Sequence, residues 1–177
     1  MHVEAGADSG DGSASPGDPA AFAQWVGPSL VPMSRLARRL APEHDPDDIV
    51  QDALTRAWTK RAQFDGTRGT VTTWLLAITA DRARAARRAR IRRLRVVDDH
   101  AAVPDQPAPE HSADLDLERA ITQLAARQQL AVHLHYFLGL TVDATAAVMA
   151  CSPGTVKSTL FDARTRLRAL LGGTDEH

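Results

Sequence analysis

The sequence predicts an all-α protein of two small helical domains joined by a flexible acidic linker, the C-terminal domain carrying a helix-turn-helix. Three observations lead there. Apolar residues recur at three- and four-residue steps in each patterned stretch, and none alternates with the period of two that marks a half-buried strand. Residues 98 to 114 interrupt the pattern with Asp, Glu and Pro and no large aromatic residue, which is linker composition. Charge is sorted along the chain, from −4 over residues 1–18 to +8 over 19–97 (15 basic, 7 acidic), −7 over 98–118 and +2 over 119–177, within a total of −1 over 177 residues.

Residues 1–18 hold Gly, Ser, Asp and Ala with almost nothing large to bury, so a disordered tail is expected there. The first domain spans 19–97. From Ala20 to Leu40, Phe22, Trp25, Val26, Leu30, Met33, Leu36, Ala37 and Leu40 follow helical steps, broken or kinked near Pro28 and Pro32. The next start is marked by Asp45 as cap, Pro46 in the first turn and Asp47 and Asp48 where the helix dipole favours negative charge. That helix runs from about Pro46 to Lys60 with Ile49, Val50, Ala53, Leu54, Ala57 and Trp58 as its apolar stripe. Its polar face is left to a partner. A turn at 64–69 precedes a long helix that opens on the stripe Val71, Trp74, Leu75 and Ile78 and then carries eight arginines between Arg82 and Arg95. The second domain spans 115–173, with helical patterns from near Leu115, through 128–138 to a break at Gly139, then 142–150 and 154–171.

Composition excludes several classes of function. One cysteine, Cys151, rules out an internal disulfide framework and a Cys-only zinc knuckle, and points to a reducing compartment. No stretch approaches the roughly 18 apolar residues of a membrane span, and Met1 to Ala21 has no signal-peptide pattern, so a soluble, cytoplasmic chain without membrane insertion is expected. No Ser/His/Asp set, glycine-rich phosphate loop or paired carboxylates at meaningful spacing is present, so neither an enzyme nor a cofactor is expected. His133 and His135, two residues apart on a helix, diverge by about 200°, which argues against a shared metal with Cys151.

What remains points to nucleic acid. The two short helices around Ala150-Cys151-Ser152-Pro153 form a helix-turn-helix candidate whose second helix would enter the major groove. Ser152, Thr155, Lys157 and Ser158 lie in its first turns, where base edges are met, and Arg164, Arg166 and Arg168 lie further along, within reach of phosphates. The arginine-rich helix is a phosphate-binding surface, or else the partner of the acidic linker folding back on it. The preference for Arg (19) over Lys (2) suits bidentate phosphate contact and equally a GC-rich genome. Phe64, Trp58 and Trp74 lie near this surface, and for the two tryptophans a core role is expected over stacking with a base.

Three segments in order carry a resemblance: 45–58 (DPDDIVQDALTRAW), 64–78 (FDGTRGTVTTWLLAI), and Tyr136 to Thr141 with Gly154 to Ser158. Together they resemble the extracytoplasmic-function sigma factors of bacterial RNA polymerase, over roughly 20–97 and 115–171. The resemblance implies that the first domain binds core RNA polymerase and melts the −10 promoter element while the second reads the −35 element, with an anti-sigma factor as a further partner. Carried onto this chain, it assigns Asp48, Ile49, Gln51 and Asp52 to docking on the β′ clamp helices. Arg68 and Thr70 in the loop, with Asp81, Arg82, Arg84 and Arg88 on the long helix, would hold the unwound strand, and a flipped base would enter the loop. Thr155, Lys157, Ser158, Phe161 and Arg164 would face the −35 element. The sequence departs from the family pattern at Asp81, where the family often places Asn, and in the helix-turn-helix at Thr145, Ala150, Thr159 and Asp162. A helix-turn-helix regulator acting as a dimer without polymerase stays open beside this reading.

Overall fold

The computed structural model describes residues 17–97 and 113–172, so the tail 1–16, most of the acidic linker and residues 173–177 lie outside the described residues. Within them the molecule is helical throughout. Helix α1 (Pro19–Val26) starts on Asp18, whose carboxylate accepts hydrogen bonds from the N–H groups of Ala20 and Ala21, with Pro19 in the first turn. A 3₁₀ turn at Gly27–Ser29 carries Pro28 and leads into α2 (Leu30–Leu40). Pro32 falls in the first turn of α2, where its missing N–H has no intrahelical carbonyl to serve.

Helix α3 (Pro46–Lys60) opens on Asp45, which accepts from the N–H of Asp47 at 2.9 Å. Two 3₁₀ turns, Arg61–Gln63 and Gly66–Arg68, connect it to the 27-residue α4 (Val71–Val97). Helices α2, α3 and α4 pack around Met33, Leu36, Leu40, Ile49, Leu75 and Leu76. Ala37, Ala53, Ala57, Ala80 and Ala83 are buried where these helices meet, and their small side chains let the backbones approach closely.

The second half contains α5 (Ala113–Thr122), α6 (Ala126–Val132), a π-helical turn at His133–Phe137, α7 (Val142–Met149) and α8 (Pro153–Leu171). Its own core is Ile121, Leu124, Ala131, Val132, Ala146, Val156, Leu160 and Ala163. Gln129 is buried and ties the α5–α6 turn by donating from Nε2 to the carbonyls of Thr122 (3.0 Å) and Leu124 (2.8 Å).

The two helical units expected from the sequence are present, and they also share a buried seam. Leu130, Leu134 and Val148 belong to the same apolar cluster as the residues of α2, α3 and α4, and α7 lies against α4. Arg39 of α2 reaches across, pairing with Glu118 at 2.9 Å and placing its guanidinium 3.6 Å from the centre of the Phe137 ring. The physical reason lies in α6 and α7, which are apolar on two sides: one faces α8, and the other needs a second cover.

Candidate nucleic-acid interface

On α3, Asp48, Gln51 and Asp52 are exposed side by side on the face away from α2 and α4. Ile49 is not part of that surface. It is 4% exposed and packs in the core, so it supports the acidic face from behind.

The loop between α3 and α4 is braced at both ends. Asp65 accepts from the N–H (2.9 Å) and the hydroxyl (2.6 Å) of Thr67, and these bonds, first the hydroxyl's and then the backbone's, with the nearby Arg68 charge, hold its carboxyl below the ordinary value. Thr70 accepts from the N–H of Thr73 at 3.2 Å and so caps the start of α4. Gly69 has φ of +152°, and a Cβ there would lie 2.8 Å from the Thr73 hydroxyl, so only glycine fits this bend. Behind the loop, Phe64 packs edge-on against Trp25 (5.1 Å between centroids) and Trp74 (5.5 Å), and Phe22 does the same with Trp58 (5.1 Å). Arg61 covers the remaining Trp58 face at 3.9 Å and donates to its carbonyl at 2.7 Å. Trp58 and Trp74 are thus packing residues, as expected, and Phe64 is held with them.

Arg68 and Thr70 are exposed on this loop, and both line a cleft of about 590 Å³ together with Asp81. Asp81 pairs with Arg84 at 3.3 Å, so the carboxylate that would otherwise repel a phosphate is partly neutralised by its own helix. Arg82 is half-buried with its Nε unpartnered, whereas Arg87, Arg88, Arg90, Arg92 and Arg93 are exposed and make no ion pair among the described residues. The cationic surface therefore sits one to three turns beyond Arg82 and Arg84.

In the second half, Thr141 caps α7 and Ser152 caps α8, each accepting from an N–H three residues on at 3.1 Å, with Pro153 in the first turn of α8. The turn between them is closed by Ala150 in the left-handed conformation (φ 49°, ψ 51°) and by the N–H of Cys151 donating to the carbonyl of Ala146 at 3.1 Å, a Schellman closure. Helix α8 buries Val156, Leu160 and Ala163 and exposes Lys157, Ser158, Phe161 and Arg164 on the opposite side. Lys157, Phe161 and Arg164 follow one another at four- and three-residue steps, a single stripe. Thr155 shares a 2.9 Å hydroxyl contact with the exposed Ser152, and the Ser158 hydroxyl donates to the Thr155 carbonyl, so both hydroxyls are engaged within the start of α8. Thr159 is likewise bonded back to the Thr155 carbonyl at 2.7 Å.

The histidines separate as their spacing requires. His133 is buried against Phe137, with its pKa lowered to about 4 by burial first and the Arg39 charge second, against an opposing effect of Glu118. The His135 Nδ1 lies 2.8 Å from the Leu140 carbonyl. Among the described residues no cluster of His, Cys, Asp or Glu is arranged to hold a metal ion, and no helix is long and apolar enough to cross a membrane. Periodicity puts Trp25 on an apolar stripe but does not bring it to the loop, where it packs on Phe64 and Trp74. The signal for Trp25 was available, since Phe22, Trp25, Trp58, Phe64 and Trp74 make up five of the chain's eight aromatic residues. Nothing local marks Arg39.

Comparison with known proteins places this arrangement. The family model for Sigma-70 region 2 matches residues 31–94, and that for Sigma-70, region 4 matches residues 114–167. The RNA polymerase sigma factor NccH of Alcaligenes xylosoxydans xylosoxydans is 33% identical over 89% of this chain and 90% of its own. The ECF RNA polymerase sigma factor SigL of Mycobacterium tuberculosis is 30% identical over 71% of this chain and 73% of its own. Among solved structures, the sigma factor RpoE of Bartonella quintana, in a co-crystal with the anti-sigma factor NepR, superposes with a TM-score of 0.66 at 32% identity, covering 88% of this chain and 98% of that one. Two helical units carrying the region 2 and region 4 signatures define a sigma-type transcription initiation factor. The chain belongs to the extracytoplasmic-function sigma factors, which direct RNA polymerase to specific promoters.

Proposed function

We propose that residues 19–97 form the polymerase-docking and promoter-melting unit, residues 115–173 the −35-reading unit, and residues 98–114 the connection between them, with 1–18 a tail outside both. The observation that carries this is the presence of region 2 and region 4 signatures in one chain, the first with an exposed acidic helix face that a DNA-binding repressor does not need. Asp48, Gln51 and Asp52 meet the β′ clamp helices of core RNA polymerase. Arg68 and Thr70 receive the extruded base, and the arginines of α4 hold strand phosphates. Binding of the extruded base and the phosphates offsets an unpairing cost of a few kcal/mol, so melting calls for no catalytic side chain and no cofactor. Lys157, Phe161 and Arg164 face the −35 major groove, with Thr155 and Ser158 joining once their hydroxyls are released from their contacts at the start of α8. The chain works in the cytoplasm, and an anti-sigma factor is its regulatory partner, a reading supported by the sigma–anti-sigma pairing in the RpoE–NepR co-crystal.

Co-elution with bacterial core RNA polymerase tests this, with the parent chain run beside a variant carrying Asp48→Arg and Gln51→Ala. The parent moves to the polymerase peak and supports run-off transcription, and the variant does neither. A parent that ignores core while retarding duplex DNA alone would replace this reading with that of a polymerase-independent regulator.

A further inference from the structure

A cavity of about 660 Å³, a volume ordinary for small-molecule sites, lies between α2 and the second half of the chain. Its α2 wall carries Arg35, Arg38 and Arg39, which follow three- and four-residue steps and so share one face of that helix. Facing them are Glu118 and Ile121 of α5, Gln129 of α6, and His133 and Phe137 of the π-helical turn. None of the residues placed above in polymerase docking or in promoter reading lines this cavity.

Two of its polar residues are almost sealed from solvent, Gln129 at 7% exposure and His133 at 3%. The fold uses Gln129, whose Nε2 donates to the carbonyls of Thr122 and Leu124. It does not use His133 in that way: the buried Nδ1 has no hydrogen-bond partner among the described residues. Native folds rarely leave a buried polar atom so, and one that lines a cavity marks a place for a group the fold does not supply. Burial and the Arg39 charge keep this imidazole neutral at pH 7, with one N–H to donate and one nitrogen to accept.

The charge of the lining selects the ligand. Arg39 is engaged, paired with Glu118 at 2.9 Å and stacked 3.6 Å from the centre of the Phe137 ring. Arg35 and Arg38 are exposed and make no ion pair among the described residues. Three guanidiniums against one carboxylate leave two positive charges. A phosphate monoester carries close to two negative charges at pH 7, and its three oxygens fit the forked donors of arginine, whereas a carboxylate matches one charge only. The apolar surfaces of Ile121 and Leu138 are left for the rest of the ligand. We propose that this cavity binds a small phosphate monoester with a compact aromatic body, the phosphate held at the mouth by Arg35 and Arg38 and the body lodged inward against Ile121 and Leu138, toward His133. A cavity of this size admits a metabolite and no DNA duplex.

The site is tested without polymerase or promoter, so its fate is separate from that of the sigma reading. The isotope-labelled full chain is titrated with phenyl phosphate, inorganic phosphate and benzoate at constant ionic strength, with calorimetry for affinity and the assigned His133 ring resonances for location. Phenyl phosphate is expected to bind one to one, to shift the His133 resonances, and to bind at least about tenfold more tightly than either inorganic phosphate, which lacks the apolar body, or benzoate, which lacks the second charge. Arg35→Gln combined with Arg38→Gln, both at exposed positions and checked by helical circular dichroism, should weaken phenyl phosphate at least about tenfold. Arg92→Gln combined with Arg93→Gln, outside the cavity, should leave it unchanged. Phenyl phosphate held no more tightly than inorganic phosphate, equal weakening by the two pairs of substitutions, or His133 resonances that stay in place would each overturn the site, and benzoate binding as tightly as phenyl phosphate would overturn its choice of phosphate.

Discussion

Ala150 and His133 show how much of this molecule's behaviour is set by single side chains in unusual surroundings. Ala150 holds the left-handed conformation at the helix-turn-helix bend, which costs an L-residue roughly 1–2 kcal/mol. Ala150→Gly removes that strain but adds freedom to the unfolded chain, leaving a net gain of about 0.5–1 kcal/mol and a melting temperature about 2 °C higher by calorimetry. His133 works the other way. Its pKa is about 4 in the fold and 6.5 when unfolded, so between these values the unfolded chain binds the extra proton, and stability falls as pH drops from 6.5 toward 4. At pH 5 the loss is about 2 kcal/mol. Urea titrations at pH 7 and pH 5 check it, because a His133→Leu variant should lack that part of the difference. The family departure at Ala150 was legible in the sequence. The burial of His133 was not, because spacing separates two histidines without saying which of them faces inward.

At the scale of the helix, α4 has two jobs divided along its length. Its first three turns are core and cleft, and its later turns present Arg87, Arg88, Arg90, Arg92 and Arg93, exposed and without an ion pair among the described residues. For DNA held mainly by phosphate contacts, affinity falls with salt in proportion to the contacts made. Replacing one of these arginines by alanine should weaken binding of every sequence alike and flatten the log–log salt slope by about one, measured by fluorescence anisotropy across salt concentrations. Replacing Arg84, already paired with Asp81, should change the slope less. The helix itself, its start after Gly69 and its charge were all readable from periodicity and composition. Which arginines stand exposed and which are engaged within the fold was not, because the Asp81 pair and the burial of Arg82 arise only once the chain is folded.

At the scale of the whole molecule, the continuous apolar cluster predicts cooperative unfolding of the two halves. All three tryptophans, Trp25, Trp58 and Trp74, lie in the first half, so their fluorescence reports on that half alone. Leu134 lies in the second half, is fully buried and belongs to the shared cluster. Leu134→Ala should cost about 2–5 kcal/mol and lower the tryptophan fluorescence midpoint together with the circular dichroism midpoint. A fluorescence midpoint left in place would mean that the halves melt independently.

Periodicity, caps and charge order are local or nearly local properties, and they carried the helical class, the start of α3 at Asp45, the break at Gly139 and the two-part organisation. They also carried the likeness to sigma factors, because that likeness lies in short contiguous motifs. Which side of a helix meets which neighbour is a property of the assembled chain. The inward turn of Ile49, the aromatic brace of Trp25 behind the loop, and the seam joining Val148 and Leu134 to the first domain were decided only there. An apolar residue states that it will be buried, but burial is non-directional, and only the packed structure settles which apolar surface becomes its cover.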